Sequence, residues 1–295
     1  LVNILFLLIF YTFIVYIFYT LIIIYMNVAI IGSGGREHAI CATLKKSKHI
    51  KKIYCLPGNA GTSEISTNIE IDINNFDEIK DLVLKKNIDL LVVGPEKPLV
   101  EGIVDFLQNT NIKIFGPNQA ASQLEGSKIF TKKLCQKYNI PTANFGIFKN
   151  PEESKKFLET SNYPIVIKAD GLASGKGVYI SENKDDAFKA IDEIFAGKFG
   201  DPKNVLVEEF LSGEEMSYFI VTDGKNIKSF NTAQDHKRVL EGDRGKNTGG
   251  MGAYSPSRLI NEELEKKIID QILKPTIKGL KDMGIEYRGF LYAWL

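Results

Sequence analysis

The run Ile167-Lys168-Ala169-Asp170-Gly171-Leu172-Ala173-Ser174-Gly175-Lys176-Gly177-Val178 has the residue types of a phosphate-binding hairpin. A lysine ends one apolar run, a small-residue loop follows, and a second apolar run closes it. Main-chain N–H groups and lysine charge stabilise polyphosphate, and glycine lets the chain approach it closely. This is no Walker A loop, since no Gly-Lys-Ser/Thr opens a helix. A loose surface hairpin, the plainer reading, does not call for three glycines within seven residues flanked by lysines. Downstream stand Leu206-Val207-Glu208-Glu209-Phe210-Leu211 and Gly213-Glu214-Glu215. An acidic pair ending a strand presents main-chain groups to an adenine edge, and a carboxylate a few residues later suits ribose hydroxyls. In isolation that second stretch reads equally as a solvated charged turn; beside the lysine hairpin it reads as a nucleotide slot.

Three more loops follow strand-like runs nearer the N-terminus. Gly32-Ser33-Gly34-Gly35-Arg36-Glu37-His38 joins a strand to a helix, where free N–H groups and the helix dipole favour phosphate. It departs from the dinucleotide fingerprint, because Glu37 stands at the third glycine. No acidic residue ends the second strand, where Pro57-Gly58-Asn59-Ala60-Gly61-Thr62 stands instead, so a nicotinamide cofactor is not expected. Val93-Gly94-Pro95-Glu96 ends a third run. Each alone is accounted for by a tight turn. Three on one sheet edge predict a shared pocket for a phosphate or phosphosugar.

The elements that must hold these loops follow from apolar periodicity. Strands are expected at 28–31, 53–56, 89–93 and 113–115, with helices at 39–46, 76–85 and 103–109, which is the alternation of a doubly wound parallel sheet. Beyond Gly126 the texture changes: a helix at 128–138, strands at 165–168, 178–180 and 205–209, and a helix at 184–196 predict a small α+β unit. Strands at 216–221 and 228–231 lead into a polar, glycine-rich stretch, 234–256. A helix at 262–283 and an apolar strand at 289–295 complete the chain.

Composition narrows the classes. With 44% hydrophobic and 25% charged residues and a formal net charge of +1, the 295-residue chain reads as an ordinary globular protein. It lacks the basic surplus that nucleic-acid binding requires. Cys41, Cys55 and Cys135, like His38, His49 and His236, show neither disulfide nor metal-ligand spacing, and a reducing, cytoplasmic setting is expected. Residues 1–25 carry no charge and are long enough to span a bilayer, yet have no basic flank. Met26 directly precedes the first strand, so residues 1–25 read as upstream sequence translated in error. A hydrophobic anchor is the alternative.

Lys128 in Glu125-Gly126-Ser127-Lys128, Lys168 with its glycine loop, and Glu208 through Glu215 occur in the order and spacing of the ATP-grasp ligases, which these residues resemble. Gly34-Gly35-Arg36-Glu37-His38, Pro57–Thr62, residues 119–128, Gln234-Asp235-His236-Lys237-Arg238 and Asn247-Thr248-Gly249-Gly250-Met251-Gly252-Ala253-Tyr254-Ser255-Pro256 resemble the glycinamide ribonucleotide synthetase family in particular. The likeness runs over residues 26–294. It implies an N-terminal substrate domain at 26–125 and an ATP-grasp domain from 126 to 295, cut short, with a lid at about 145–212. It also implies ATP and Mg²⁺ (or Mn²⁺) as cofactors, and glycine and phosphoribosylamine as substrates. The partners implied are small molecules acting on a monomer, with neither nucleic acid nor membrane.

Roles carry over residue by residue. Lys128 and Lys168 would meet the phosphates, with Gly171, Ser174, Gly175, Lys176 and Gly177 folding over them. Glu208 with the main chain of Glu209 and Leu211 would face adenine, and Glu215 the ribose. Gly35, Asn59, Gly61 and Thr62 would lie near phosphoribosylamine. Gln234, Asp235, His236, Lys237 and Arg238, with Gly249, Gly250 and Gly252, would line the acceptor pocket. There Arg238 would pair with a substrate carboxylate or acyl phosphate, with Asp235 and Lys168 beside it in catalysis. Asp235 and His236 serve equally well as loop-stabilising hydrogen bonders. The family's metal ligands, a Glu and an Asn, are expected beyond Leu295, so no metal ligand is assigned in this chain and ligation by it alone is not expected. Trp294 stands where the family has a small residue. The rival readings are another ATP-grasp carboxylate–amine ligase or carboxylase, a membrane-tethered nucleotide-binding protein, and a nicotinamide dehydrogenase.

Overall fold

The computed structural model of the chain describes residues 25–172, 177–200, 204–242 and 244–295. The hydrophobic segment at 1–24 and the loop residues Ser174, Gly175 and Lys176 therefore lie outside the described residues. The chain divides into two compact units. One comprises the residues up to Pro95 with Phe106–Phe115, and the other Glu96–Asp105 with Gly116–Leu295.

In the first unit a five-stranded parallel sheet has the order β3-β2-β1-β4-β5, with β1 at Met26–Gly32, β2 at Ile50–Pro57, β3 at Thr67–Asn68, β4 at Leu90–Val93 and β5 at Lys113–Phe115. β1 is central. Val28 through Ile31 are wholly buried, as strands covered on both faces must be, which is why the run is unbroken apolar rather than alternating. Val28, Ile30, Ile53, Cys55 and Val92 pack one core with Cys41 from the helix Gly35–Leu44. The order reverses at β1, flanked by β2 and β4, so the loops after β1 and β4 open on the switch point where such sheets take ligands.

The second unit holds two larger antiparallel sheets. β6 (Phe145–Phe148), β7 (Ile165–Ala169), β8 (Val178–Ser181) and β9 (Val205–Glu209) form a sheet of order β6-β9-β7-β8. The helices Pro151–Leu158 and Lys184–Phe195 cover one face of it with Leu158, Ala187, Ile191 and Ile194. The period of two decides which side chains are left for the other face: Ile165, Ile167, Val205 and Val207 enter the core, while Lys168 and Glu208 turn away from it. β10 (Ser217–Thr222), β11 (Ile227–Ser229) and β16 (Gly289–Trp294) make a three-stranded sheet over Leu273, Ile277 and Leu280.

Several boundaries differ from expectation for local reasons. The first helix begins at Gly35, four residues early, because the Glu37 carboxylate accepts the Gly34 N–H at 2.6 Å and caps it. The helix expected at 103–109 stops at Phe106, and the Thr110 hydroxyl bonds the Leu107 carbonyl at 2.6 Å as the chain turns. The helix expected at 262–283 runs through a wider π-type turn at Ile268–Leu273, since Pro275 has no N–H for the preceding turn. The stretch at 234–256, expected only as polar and glycine-rich, pairs β12 (Gln234–Asp235) with β15 (Ala253–Tyr254), and β13 (Arg238–Leu240) with β14 (Arg244–Asn247). β6 and the helix Pro151–Leu158 were not anticipated.

Candidate functional site

In the first unit the loop after β1 is shaped by a buried carboxylate. Glu37 is 3% exposed, and a β-carbon on Gly32 would stand 2.7 Å from its Cδ. On Gly94 a β-carbon would collide with Glu37 Oε1 and lie 2.8 Å from the Ile31 carbonyl oxygen. Glycine at both strand ends thus makes room for the residue that breaks the dinucleotide fingerprint. Gly35 itself faces open space, with nothing within 4 Å of where a β-carbon would sit.

The second loop is tied to the first by Asn59, whose Nδ2 donates to the Ser33 carbonyl at 2.8 Å. Asn59 Oδ1 accepts the Thr62 N–H at 2.9 Å, and the Thr62 hydroxyl accepts the Asn59 N–H at 2.7 Å. This reciprocal cap starts the one-turn helix Ala60–Ser63. Asn68 Nδ2 bonds the Asn59 carbonyl at 2.7 Å. A β-carbon on Gly61 would meet the His38 ring at 3.2 Å. Gly35, Asn59, Gly61 and Thr62 are therefore brought to one sheet edge, where Asn59 and Thr62 bond chiefly the loop itself.

In the second unit Lys128 opens the helix Lys128–Lys137 and donates to the Gly171 carbonyl at 2.8 Å. Asp170 accepts the Ser127 hydroxyl at 3.1 Å on both oxygens and the Ile129 N–H at 3.2 Å. A carboxylate at a helix N-terminus is favoured by the free N–H groups and the dipole, and here it docks the root of the glycine loop on that helix. Gly171 has φ +97°, a conformation that glycine adopts without strain. Ala169 N–H donates to the Gly177 carbonyl at 2.8 Å and closes the hairpin.

Lys168 pairs with Glu208 across the sheet. Glu208 lies opposite Val166, so Lys168 is its diagonal neighbour, within reach of a long side chain. Lys168 Nζ stands 2.8 Å from Glu208 Oε2. Glu208 is 5% exposed. Its Oε1 is 3.5 Å from Nζ of Lys132, a buried residue one turn into the Lys128 helix. Burial pulls the Lys128 ammonium below its ordinary range and the Lys168 charge adds to that, while Asp170 and Glu125 oppose it. Burial likewise lowers Lys132, against the pull of Glu208. Glu209 faces solvent and accepts the Asn144 N–H at 2.8 Å, which holds its carboxyl below the usual range. Leu211 is exposed, as is Glu215 beyond it. Lys132, Asp170 and Ser127 are the residues that sequence reasoning left without a role. The one available signal was the i, i+4 spacing of Lys128 and Lys132 on a helix.

The segment 234–238 and the loop 249–252 are stapled together. His236 N–H donates to the Gly252 carbonyl at 2.9 Å, and Met251 N–H to the His236 carbonyl at 2.7 Å. Thr248 N–H reaches the Lys237 carbonyl at 2.7 Å, and the His236 ring stacks on Tyr254 at 5.9 Å. Gln234 is buried and accepts from the Tyr254 and Ser257 hydroxyls. Arg238 Nη1 donates to the Gly245 carbonyl at 3.3 Å. Lys237 Nζ lies 3.6 Å from Asp235 Oδ2, 3.6 Å from Glu215 Oε2 and 3.6 Å from the centre of the Trp294 ring, so it joins this block to the acidic segment. Gly249, Gly250 and Gly252 face open space, the last two at φ +119° and +146°.

Among the described residues no cluster of three His, Cys, Asp or Glu side chains is placed to hold a metal ion, and no helix is long and apolar enough to cross a membrane.

Residues 26–125 match the family model of the phosphoribosylglycinamide synthetase N domain, and residues 126–295 that of its ATP-grasp (A) domain. A phosphoribosylamine–glycine ligase of Mesorhizobium japonicum is 47% identical over 92% of this chain and 64% of its own length. One from Pseudomonas aeruginosa is 46% identical with the same coverage. The crystal structure of the Thermotoga maritima phosphoribosylamine–glycine ligase superposes with a TM-score of 0.78 at 36% identity, over 91% of this chain and 65% of that one. The biotin carboxylase domain of Hydrogenobacter thermophilus 2-oxoglutarate carboxylase, solved with ADP, has a TM-score of 0.68 at 19% identity over 91% of this chain and 60% of that one, a likeness of fold. The chain spans about 64% of the length of the curated relatives it matches.

Proposed function

The chain belongs to the phosphoribosylglycinamide synthetase family, and from that membership we propose that it carries the nucleotide site and substrate loops of an ATP-dependent ligase joining glycine to 5-phosphoribosylamine. The observation that carries this reading is the convergence of two lysines on one glycine loop and one buried carboxylate: Lys128 on the Gly171 carbonyl and Lys168 on Glu208, each at 2.8 Å. An ammonium whose hydrogen-bond partner among the described residues is one carbonyl, or one carboxylate at a strand end, is ready to exchange that partner for phosphate oxygens.

ATP would lie along β7 and β9. Lys128 and Lys168 would take its phosphates under the loop from Gly171 to Gly177, with Ser174, Gly175 and Lys176 supplying N–H groups and charge. Glu208, with the main chain of Glu209 and Leu211, would edge the adenine, the exposed Leu211 side chain offering it apolar cover. Glu215 would bond the ribose. Phosphoribosylamine would sit on the loops of Gly35, Asn59, Gly61 and Thr62. Asp235, His236, Lys237 and Arg238, with Gly249, Gly250 and Gly252, would line the glycine pocket, and buried Gln234 would brace it through Tyr254. In this arrangement residues 26–125 bind the amino sugar and 126–295 the nucleotide.

Chemistry then needs two displacements. A glycine carboxylate oxygen attacks the γ-phosphorus as the bond to ADP breaks, giving glycyl phosphate. The amine of phosphoribosylamine attacks the glycyl carbonyl, the C–O bond to phosphate breaks, and the departing phosphate takes up the proton that the amine gives up. No protein nucleophile is required; positioning and charge neutralisation lower both barriers. Mg²⁺ or Mn²⁺ would neutralise phosphate charge in such a reaction. The described residues do not form a set that fits it, and the steps here rest on the lysines and Arg238. The product of the whole reading frame containing these residues is expected to sustain turnover of ATP to ADP only when glycine and phosphoribosylamine are both present, with glycinamide ribonucleotide found by mass spectrometry. ADP release that is indifferent to glycine would overturn the reading.

A further inference from the structure

We propose that Lys132 is a positioning residue of the nucleotide site: a fixed, buried cation that holds Glu208 in place and keeps it compensated when Lys168 leaves it for a bound triphosphate. The proposal rests on the nucleotide reading above. Glu208 has two lysines on opposite oxygens, and they differ in freedom. Lys132 Nζ donates to the Thr142 hydroxyl at 2.6 Å and to the Ala143 carbonyl at 3.2 Å, besides standing 3.5 Å from Glu208 Oε1. Two of its three N–H donors are thus committed to Thr142 and Ala143, and its charge lies against Glu208. Its side chain is 10% exposed and passes the Phe145 ring at 5.4 Å, and Phe145 is the residue paired with Glu208 across β6 and β9. Lys168 is 24% exposed, and Glu208 is its one hydrogen-bond partner among the described residues. One lysine is built in and the other can swing.

Charge counting gives the consequence. Without nucleotide, one carboxylate is shared by two ammonium groups. If Lys168 turns to phosphate, Glu208 keeps Lys132 and no buried carboxylate is left unpaired, a situation that proteins tolerate poorly. Remove Lys132, and Lys168 becomes the one lysine in direct ion-pair contact with Glu208 among the described residues, so a triphosphate must strip that contact away. Burial lowers the Lys132 ammonium, and the Glu208 carboxylate opposes that fall.

A double-mutant cycle in the 295-residue chain tests this, with ATP as the titrant and thermal melting as the control for folding. Lys132→Met is expected to weaken ATP binding about tenfold or more, and Lys132→Arg to restore most of it. In a Glu208→Gln background, where Lys168 is no longer captive, Lys132→Met is expected to change ATP affinity little. If Lys132 only ties the helix to the sheet, the two substitutions lower melting but their effects on ATP affinity are absent or simply add, and the proposal is overturned. Should Lys132→Met fail to fold, Thr142→Val, which loosens Lys132 without removing it, carries the same cycle. No ATP binding by the unsubstituted chain overturns the nucleotide reading, and this inference with it.

Discussion

At the ends of β1, β2 and β4 the groups that face the loops are main chain, or side chains bonded to main chain: Gly34 N–H on Glu37, Asn59 on Ser33, Thr62 on Asn59. Along β7 and β9 the facing groups are ammonium and carboxylate, with Lys168, Glu208 and Lys132 in one chain of contacts. The first candidate site is a shape made by glycines, and the second is a charge balance made by side chains. A shape of this kind is sensitive to one added methyl where glycine packs on Glu37. A charge balance tolerates volume changes and responds to loss of one unit charge or to pH.

The largest effect expected from this contrast is on the first unit. Gly94→Ala drives a methyl into Glu37 and the Ile31 carbonyl, and should cost about 1–3 kcal/mol, the usual range for overpacking, read as a lowered denaturation midpoint. A midpoint equal to that of the unsubstituted chain would mean that Glu37 does not fix the loop. Next, Asp170→Asn removes the charge at the Lys128 helix N-terminus; about 1 kcal/mol of stability should go with it, and ATP affinity should fall several-fold. Affinity that stays constant would detach the glycine-loop root from the nucleotide site.

The third prediction separates the sites by pH. Burial lowers Lys128 and Lys132, so both lose protons before an exposed lysine does. Between those lowered values and about pH 10.4, the ordinary lysine value, the unfolded chain binds more protons than the folded one. Through these two groups, fold stability rises with pH in that window while ATP affinity falls. Sugar-phosphate binding by the first unit should not follow that fall, and titrations at stepped pH would show it if it did. The smallest effect on folding is expected for Gly35→Ala, because open space surrounds Gly35 at the first position of a ten-residue helix. Stability should stay within about 1 kcal/mol or rise, whereas ribose 5-phosphate binding, followed by amide chemical shifts, should weaken.

Much of the frame is legible from sequence where local and tertiary preferences agree. The helix Phe76–Lys85 and the strands Lys113–Phe115 and Val205–Glu209 fall at their expected bounds. Asn75 caps the first, and Val205 to Glu208 are buried on both faces. The helix Pro151–Leu158 carries a sequence signal too, since Asn150 caps Glu153 N–H and Pro151 sits at the first turn. The pairings at 234–254 were not legible: strands of two to four residues are too short to show an alternation, and their register is fixed by His236 and Thr248 bonds to the facing loop. In the candidate site, the lysines and acidic residues announce themselves by spacing. Lys132 does not, because its partners Thr142, Ala143 and Glu208 meet it only once β6 and β9 pair.

The most direct measurement is a calorimetric titration of the chain with ATP, alone and with Lys128 and Lys168 both replaced by Met. Saturable binding that drops about a hundredfold or more in the double variant is predicted, as two charge-assisted hydrogen bonds to phosphate would be lost. Equal binding by the two proteins would contradict the claim that these lysines hold the nucleotide.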